Sequence, residues 1–363
     1  MNYCDKIHYH LYTTESASFG EMVDALLIQL PQDEQLFRLV FFGMPENNGQ
    51  YAEHCAMLRD KVHRHCGDQE PVLSYVSQSP LNAGLLLEVH GYKADQGDHI
   101  TYSHYRDFSY VVLKNNDGRF LFAGGIQGDV VNTGILLQSQ EVFQMVEGLL
   151  QKENFPVNSI IRQWNYIEQI TGLDGSDQHY QIFNNARSEF YRQADWSNGY
   201  PAATGIGVNL GGILVDLDAA VFTRPECYAT PIDNKLQVAA HAYSDGVLVA
   251  AHKKKTTPKF ERAKSMTFDG HRLIYISGTA AIRGEESLIG VGLERQLYIT
   301  MENVRQLIGD TRLRMLRVYL KEESFYEEAV QLLKEYKLDI PISYLWADVC
   351  RDELWIEIEG IAV

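Results

Sequence analysis

An apolar closing segment that recurs twice earlier in the sequence is the feature that most constrains this chain. Residues 341–362 begin with a proline and end in an alternating, strand-like run. Each copy places an acidic residue at nearly the same distance after its proline: Pro71 with Glu88, Pro201 with Asp216, and Pro341 with Glu357. Internal repeats of well over about 100 residues are domain duplications rather than solenoid units. The chain is therefore predicted to contain tandem copies of one domain.

The segments between these copies carry the same order of predicted elements. In the last two copies, a short apolar strand stopped by glycine precedes an apolar-periodic helix, a strand, a second helix and the closing segment. The first copy keeps at least its last helix and its last strand. The predicted helices span residues 51–66, 140–150, 180–191, 296–308 and 325–336. This order predicts an α+β fold of three tandem domains.

The domain boundaries follow from the same order. The predicted domains span residues 1–95, 105–224 and 235–363, and the first is a degraded copy. Short linkers at 96–104 and 225–234 separate them. Because each sheet has one apolar face to cover, we expect the three domains to pack against each other.

Charge and composition exclude several classes of protein. The 363 residues carry a formal net charge of −16, which opposes nucleic-acid binding because that affinity comes mainly from cationic contacts with phosphates. No apolar segment approaches the roughly 18–20 residues that span a bilayer, and the apolar stretch near the start lacks a preceding basic region. The five cysteines contain no C-x-x-C pair, so reduced thiols are expected. These features predict a cytoplasmic protein that binds neither nucleic acid nor membrane.

Two glutamates in the closing strand are candidates for acid–base chemistry. Glu357 and Glu359 alternate with Ile356 and Ile358, so the glutamates share one face of the strand. The pattern alone favours a solvated face. The alternative is a carboxyl in a partly desolvated cleft between domains, where burial raises its pKa and lets it act as a general acid.

Basic residues are the candidates for binding an anionic ligand. A guanidinium grips a carboxylate with two hydrogen bonds, which favours Arg187 and Arg262, although each is also compatible with a surface ion pair. Three lysines at 253–255 are typical of a solvated loop, with steering of a carboxylate-bearing ligand as the alternative.

The histidines do not predict a metal site. His63 and His65 lie two apart on a predicted helix and point to different faces, while His8 and His10 alternate on a strand near no acidic cluster. The chain also lacks a P-loop, a dinucleotide-binding motif and a nucleophile motif. We expect no metal and no cofactor.

The glycine-stopped strand, the helix with an early glutamine and the closing Leu-Trp-Ile-Glu-Ile-Glu-Gly-Ile-Ala resemble the RidA family, also called YjgF or L-PSP. Members of that family are trimers with sites between subunits. The resemblance implies RidA-like, chorismate-mutase-like domains that form a pseudo-trimer in one chain, and favours a monomer. RidA imine deaminases bind the substrate carboxylate with an arginine two residues after the proline of the last strand. Those positions are Leu73, Ala203 and Ser343 here, which counts against deaminase activity.

A closer resemblance, over about residues 160–363, is to the chorismatases. The most specific segment is Tyr-Pro-Ala-Ala-Thr-Gly-Ile-Gly at 200–207. Further matching segments, in the order of the family, are 163–167, 180–183 with Arg187, 260–263, 276–280, and 348–351 running into Glu357. Chorismatases remove the enolpyruvyl group of chorismate as pyruvate without metal or organic cofactor. The resemblance implies the same activity here, on a small anionic substrate.

The chorismatase resemblance also implies roles for single residues. Glu357 matches the acid that protonates the enolpyruvyl methylene, giving an oxocarbenium ion that water or the neighbouring ring hydroxyl captures. Water capture gives a dihydroxycyclohexadiene carboxylate, and internal capture leads to a hydroxybenzoate. The positions matching substrate-binding residues are Tyr180, Arg187, Tyr200, Arg262, Ala263 and Cys350. Asp216 and Glu88 stand where Glu357 does in the other copies and are expected to be vestigial.

Some positions depart from the chorismatase pattern. Residues 253–256 replace a Tyr-Gly-Pro-Arg-like sequence, and Glu285 replaces a histidine. Ala263 resembles the water-capturing subtype and Cys350 the hydroxybenzoate-forming one, which leaves the product open. The alternative function is that of a RidA-like small-molecule-binding or regulatory protein, or of an imine deaminase.

Overall fold

The computed structural model describes residues 2–130, 133–244 and 256–363, and its elements fall into three successive repeats. The lysine run at 253–255 lies outside the described residues. The first repeat comprises α1 (Tyr3–Lys6), β1 (Ile7–Thr14), α2 (Phe19–Leu27), β2 (Gln35–Gly43), α3 (Asn48–Cys66), β3 (Val72–Ser77), β4 (Ser79–Pro80) and β5 (Leu85–Tyr92).

The second and third repeats are longer. The second comprises β6 (His99–Tyr105), β7 (Phe108–Lys114), β8 (Gly118–Gln127), α4 (Ile135–Lys152), β9 (Ile160–Glu168), β10 (Leu173–Asp174), β11 (Asp177–Gln178), α5 (His179–Tyr191), β12 (Ala202–Val208) and β13 (Ile213–Phe222). The third comprises β14 (Cys227–Ile232), β15 (Ala263–Phe268), β16 (His271–Ala280), β17 (Ile282–Arg283), β18 (Glu286–Ser287), α6 (Gly292–Ile308), β19 (Leu313–Leu320), α7 (Tyr326–Lys334), β20 (Ile342–Trp346) and β21 (Ile356–Ala362).

The three repeats share one strand arrangement. Their core sheets have the orders β1-β5-β2-β3, β8-β13-β9-β12 and β16-β21-β19-β20. In each order the third strand pairs in parallel with the fourth and antiparallel with the second. The predicted α+β class and the tandem repeats are therefore confirmed. The first repeat also has α2 and α3, the counterparts of the two helices in each of the other repeats, and so keeps more of the unit than the sequence indicated.

Each closing segment contains at least two strands rather than one. In the third repeat, β20 runs parallel to β19 and β21 runs antiparallel to it, so the chain reverses direction between them. A period-2 pattern does not reveal such a reversal, because both strands alternate in the same way. The residues that make the turn, 347–355, form part of the functional site described below.

Two other predictions of local structure are wrong. The segments assigned as linkers contain β6 and β14, which extend the second and third sheets at their edges. The glycines near the ends of β8 and β16 do not stop these strands. Instead, both strands continue with an irregular register, at Val215/Leu217 opposite β8 and at Ile276/Thr279 within β16. An inserted residue bends a strand without ending it.

The three sheets face a shared interior and carry their helices outside. One buried apolar cluster draws residues from all three sheets, and a further cluster lies between each sheet and its own helices. Three contacts join the repeats: β3 meets β8, β12 meets β16, and β20 meets β4. Of these, β20 and β4 pair as antiparallel strands. The repeats therefore close a ring, as a pseudo-trimer requires. No helix within the described ranges is long and apolar enough to cross a bilayer.

A buried ionic cluster occupies the shared interior. Arg38, Arg162 and Arg317 come from corresponding positions on β2, β9 and β19, and all three guanidiniums lie within 4.7–5.6 Å of the ring centre of Trp164. Their carboxylate partners are Glu88, Asp216, Asp218 and Glu359. Buried charges of this kind persist only when they are paired and hydrogen-bonded. The cluster connects the three repeats at their centre.

Candidate active site

Glu357 lies at the wall of a cavity of about 700 Å³ between the second and third repeats. Its position on β21 pairs with Tyr319 of β19 and Ala280 of β16. The side chain is only 6% exposed, and Glu359 two residues on is 2% exposed. The predicted alternation is confirmed, because Ile356 and Ile358 pack towards the helices. The solvated-face interpretation of the two glutamates is wrong, since their face of the sheet is covered by the second repeat.

The space for the Glu357 carboxyl is made by Gly278. A Cβ at residue 278 would lie 2.0 Å from Glu357 Oε1, so any side chain there would force the carboxyl to move. The sequence suggests Gly278 as the end of a strand. In the structure, its lack of a side chain instead leaves room for Glu357 on the neighbouring strand.

Burial and a neighbouring carboxylate determine the protonation of Glu357. Desolvation and the charge of Glu359 raise the pKa of Glu357 to about 8, against the opposing effect of nearby arginines. Glu359 itself is held by Arg162, Arg317 and the Tyr319 hydroxyl. At neutral pH, Glu357 is thus a protonated carboxylic acid facing the cavity, as a general acid must be.

The second repeat supplies the opposite wall through β12. Ala203 N donates to Ser277 Oγ at 2.9 Å, and Gly278 N donates to Thr204 Oγ1 at 2.9 Å. Small residues allow this close approach: a Cβ at Gly278 would lie 3.0 Å from Thr204 Cγ2. The 200–207 segment, the most specific motif of the sequence, is therefore the strand along which the second repeat meets the third.

Two arginines of the third repeat line the cavity. Arg262 donates from Nε and Nη2 to the Val238 carbonyl at 3.3 and 3.0 Å. Arg351 donates from Nη1 to Ser287 Oγ at 2.9 Å and to a backbone carbonyl. The Tyr243 ring centre lies 5.4 Å from each guanidinium. Backbone carbonyl and hydroxyl oxygens hold each guanidinium in place. Its remaining N–H groups can therefore donate to an anionic ligand.

The predicted site residues divide into two sets. Glu357, Tyr180, Arg262 and Cys350 line the cavity together. Arg187, Tyr200 and Ala263 do not, which differs from the prediction. Arg187 is buried behind the wall, where its Nη2 donates to Asn184 Oδ1 at 2.5 Å, and Asn184 itself lines the cavity.

The other two residues outside the cavity lie nearby. Tyr200 is half-buried among aromatic side chains, and its backbone N donates to Glu261 Oε1 at 2.9 Å. Ala263 begins β15 and packs in the apolar layer beneath the helices of the third repeat, away from the cavity.

Cys350 lies in the cavity wall. Burial raises the pKa of its thiol to about 12, so the thiol is neutral.

Sequence reasoning missed Arg351 and Tyr243 as site residues. Arg351 was part of a motif and adjoins Cys350, so its position beside a predicted cavity residue was a usable signal. Tyr243 carried no such signal, because it reaches the site from the segment that follows β14 and contacts Arg262 only through folding. Glu285 lines the cavity mouth and accepts hydrogen bonds from the Ser244 N and hydroxyl.

The equivalent acids of the other repeats have different surroundings. Strand register places Asp216 opposite Trp164 and Glu88 opposite Val40, matching Glu357 opposite Tyr319. Asp216 Oδ1 accepts from Ser74 Oγ at 2.7 Å, and its Oδ2 lies 3.1 Å from Arg38 Nη1. Although burial opposes it, Arg317 holds the pKa of Glu88 at about 2. These surroundings favour ion pairing over proton donation.

His8 and His10, which the sequence places near no acidic cluster, share a carboxylate partner in the fold. Glu34 lies against both His8 and His10, with its oxygens 2.6 and 2.8 Å from a ring nitrogen of each. The sequence separates them by a whole helix, and only the pairing of β1 and β2 with β5 brings them together.

The fold and this site define a three-repeat α+β protein with a buried carboxylic acid and two arginines in a cavity between repeats. The family model for the N-terminal region of FkbO/Hyg5-like chorismatases matches residues 91–218. A 3-hydroxybenzoate synthase of Streptomyces hygroscopicus is 29% identical over 287 residues, covering 73% of this chain and 77% of that protein. A chorismatase of Streptomyces rapamycinicus is 26% identical over 224 residues, covering 56% and 64%.

The fold agrees with these sequence matches. A crystal structure of a chorismatase superposes with a TM-score of 0.68, at 18% identity, and the match covers 98% of each chain. The chain is thus similar to chorismatases in sequence and shares the fold of one.

Proposed function

We propose that this protein is a chorismatase-type enzyme, which releases pyruvate from chorismate or a closely related enolpyruvyl ether. The observation that carries the proposal is Glu357, a buried carboxyl with a pKa raised to about 8 at the wall of a 700 Å³ cavity. An enol ether is cleaved after protonation of its terminal carbon, which needs an acid that still holds its proton near neutral pH. Ligand sites of small molecules have volumes of this order.

Recognition of the substrate is assigned to the cations and donors of the cavity. Chorismate carries two carboxylates, and Arg262 and Arg351 are two guanidiniums in the cavity wall able to bind them with charge-assisted hydrogen bonds. Burial raises the pKa of Tyr180, whose hydroxyl therefore remains a donor. Arg187 acts from behind the wall, where it orients Asn184 and adds positive potential.

The proposed reaction begins with proton transfer from Glu357 to the enolpyruvyl methylene. The methylene becomes a methyl group, and the ether carbon becomes an oxocarbenium ion paired with the Glu357 carboxylate. Water or the neighbouring ring hydroxyl then adds to the cation and returns a proton to Glu357. In the water adduct, the bond between the former ether carbon and the ring oxygen breaks, which releases pyruvate and leaves both oxygens on the ring. In the internal adduct, one ring C–O bond breaks so that its oxygen leaves with pyruvate, and a ring proton is lost as the oxygen left on the ring becomes a hydroxyl of the aromatic product. No metal or organic cofactor takes part. Water capture consumes one water, whereas internal capture consumes none.

We assign internal capture, giving a hydroxybenzoate, as the principal outcome. Cys350, which resembles the hydroxybenzoate-forming subtype, lines the cavity, whereas the side chain of Ala263, which resembles the water-capturing subtype, packs elsewhere. A neutral thiol competes poorly with water for hydrogen bonds and so favours a drier wall near the cation. The 3-hydroxybenzoate synthase among the relatives is consistent with this assignment.

The direct test is incubation of the purified chain with chorismate. Pyruvate release is followed with lactate dehydrogenase, and the ring product is identified by mass. A hydroxybenzoate supports internal capture, and a dihydroxycyclohexadiene carboxylate, heavier by one water, overturns that assignment but keeps the activity. If the wild type releases no more pyruvate than the Glu357→Gln variant, the proposed function is rejected. A binding role would then replace it.

We also propose that the enzyme is a monomer in the cytoplasm. The three repeats already satisfy the interfaces that a trimer of single domains would need, because β3, β12 and β20 each contact the next repeat. All five cysteines are free, as a reducing compartment favours. Sedimentation equilibrium giving a mass near 41.3 kDa supports the monomer, and a multiple of that mass contradicts it.

A further inference from the structure

A cluster of two histidines and one glutamate lies on the first repeat, and none of its members lines the cavity. His8 and His10 share one face of β1, and Glu34 immediately precedes β2. Glu34 Oε1 lies 2.6 Å from His8 Nδ1, and Glu34 Oε2 lies 2.8 Å from His10 Nε2. The carboxylate therefore bridges the two imidazoles.

The neighbouring strand leaves room for this carboxylate. Gly91 of β5 is paired with His8, and a Cβ at residue 91 would lie 1.9 Å from Glu34 Oε2. The ring of Tyr12 is parallel to that of His10, with centres 6.2 Å apart, on the same face of β1. The backbone of β1, β5 and the start of β2 therefore fixes the positions of these side chains. The cluster is not a chance contact between flexible surface groups.

The electrostatics of the cluster favour a bound cation. The Glu34 side chain is 4% exposed, and the ion pairs it forms among the described residues are with His8 and His10 alone. A buried carboxylate without a permanent cationic partner is costly. The two histidines are about one-third exposed, which gives a metal ion a path from solvent.

We propose that His8, His10 and Glu34 form a binding site for Zn²⁺. Histidine nitrogen and carboxylate oxygen are zinc ligands, and three protein ligands with water in the fourth position make a complete tetrahedral site. The candidate ligand atoms all lie within 4.8 Å of one another. Bonds of roughly 2.0–2.2 Å place tetrahedral ligands about 3.3 Å apart, so modest side-chain rotations suffice.

Zinc binding replaces the two hydrogen bonds of the cluster. Each imidazole binds through a lone pair, so His8 carries its proton on Nε2 and His10 on Nδ1 in the zinc-bound form. The ion then connects β1 to the start of β2 and stabilises the first repeat. This site is independent of the proposed chorismate chemistry, because the cavity lies between the second and third repeats.

The test is titration of the full, chelator-treated chain with ZnCl₂ by isothermal titration calorimetry at pH 7.5. We expect one equivalent to bind to the wild type and to raise its melting temperature by several degrees, since a ligand that binds only the native state stabilises it. His10→Asn and Glu34→Gln should each weaken binding at least about tenfold. His271→Asn, at an exposed histidine of β16, is the matched control and should bind as the wild type does.

Co²⁺ provides a second readout that needs no variant. Intense visible absorption typical of tetrahedral coordination, displaced by one equivalent of Zn²⁺, supports the site even if a variant does not fold. Two results overturn the proposal: a wild type that takes up no zinc, or site variants that bind zinc as tightly as His271→Asn does.

Discussion

Glu88 of the first repeat and Arg317 of the third form a buried, two-fold hydrogen-bonded ion pair. Arg317 donates from Nε to Glu88 Oε2 at 2.7 Å and from Nη2 to Glu88 Oε1 at 2.6 Å, and neither side chain is more than 1% exposed. The same guanidinium reaches Glu359 at 3.0 Å, two residues from the proposed acid Glu357. The first repeat is thereby tied through one arginine to the strand that carries the candidate catalytic residue.

Replacement of Glu88 by Gln should destabilise the whole chain. Removing one partner of a buried ion pair leaves an under-compensated charge and costs about 3–5 kcal/mol. Urea denaturation should show the lower midpoint. Asp60→Asn, which breaks the exposed pair with Arg64, is the control and should change the free energy of unfolding by no more than about 0.5 kcal/mol. Equal midpoints for the two variants would show that the buried pair does not hold the repeats together.

Replacement of Glu357 by Gln should abolish pyruvate release while substrate binding persists. Glutamine keeps the shape and the hydrogen-bonding capacity of the protonated acid but has no proton to transfer, so kcat should fall by at least about 10²-fold. Calorimetry with chorismate measures the remaining binding. Glu286→Gln, at the cavity mouth, is the control and should retain activity. Normal turnover by Glu357→Gln would remove Glu357 from the mechanism.

The pH dependence of kcat/KM should report the protonated form of Glu357. Because its pKa is raised to about 8, the acid is active below that pH, and activity should fall about tenfold per unit above it. Steady-state rates between pH 5.5 and 9.5 measure this alkaline limb of the pH profile, where activity falls. Cys350→Ser should leave the limb in place, since burial raises the pKa of that thiol to about 12. A limb that disappears in Cys350→Ser would assign the titration to the thiol instead.

Replacement of Arg351 by Gln should weaken substrate binding more than it slows the chemistry. Loss of a charge-assisted hydrogen bond to a carboxylate corresponds to a rise in KM of about 10- to 100-fold. Arg351→Lys should recover part of the loss because it keeps the charge. Arg295→Gln, on the outer face of α6, serves as the control. An unchanged KM in Arg351→Gln would place the substrate carboxylates elsewhere in the cavity.

Replacement of Gly278 by Ala should displace the Glu357 carboxyl. The added Cβ would lie 2.0 Å from Glu357 Oε1, so the acid must rotate away or the strands must separate. We expect a loss of kcat of at least about tenfold with the fold retained by circular dichroism. Gly97→Ala is the control, because the atom nearest to its added Cβ is 3.5 Å away. Full activity of Gly278→Ala would mean that the carboxyl position is not critical.

Much of the fold follows from local sequence patterns. The predicted helix at 180–191 corresponds to α5 (His179–Tyr191), and that at 296–308 to α6 (Gly292–Ile308), because apolar residues at helical spacing mark a buried face in each repeat. The reversal between β20 and β21 was not visible, since the alternation on both sides of it is the same. The edge strands β6 and β14 lie within the predicted linkers because they are partly exposed and their sequences lack a strong apolar alternation.

The candidate site was only partly accessible to the same reasoning. The repeated segment and its alternation indicate Glu357 and Glu359 as candidates, and the resemblance to chorismatases implies that Glu357 is the acid. The burial of Glu357 does not follow from the sequence, because the groups that cover it belong to β12 of another repeat.

The sequence by itself determined the three repeats, their helices and the face of β21 that carries Glu357, since these depend on spacing within single segments. Only the tertiary structure decided that Glu357 is a protonated acid and that Arg351 joins Arg262 in one cavity. It also brought Glu34 against His8 and His10. These properties depend on desolvation and on charges from distant segments, and both act through space between residues that the linear order keeps apart.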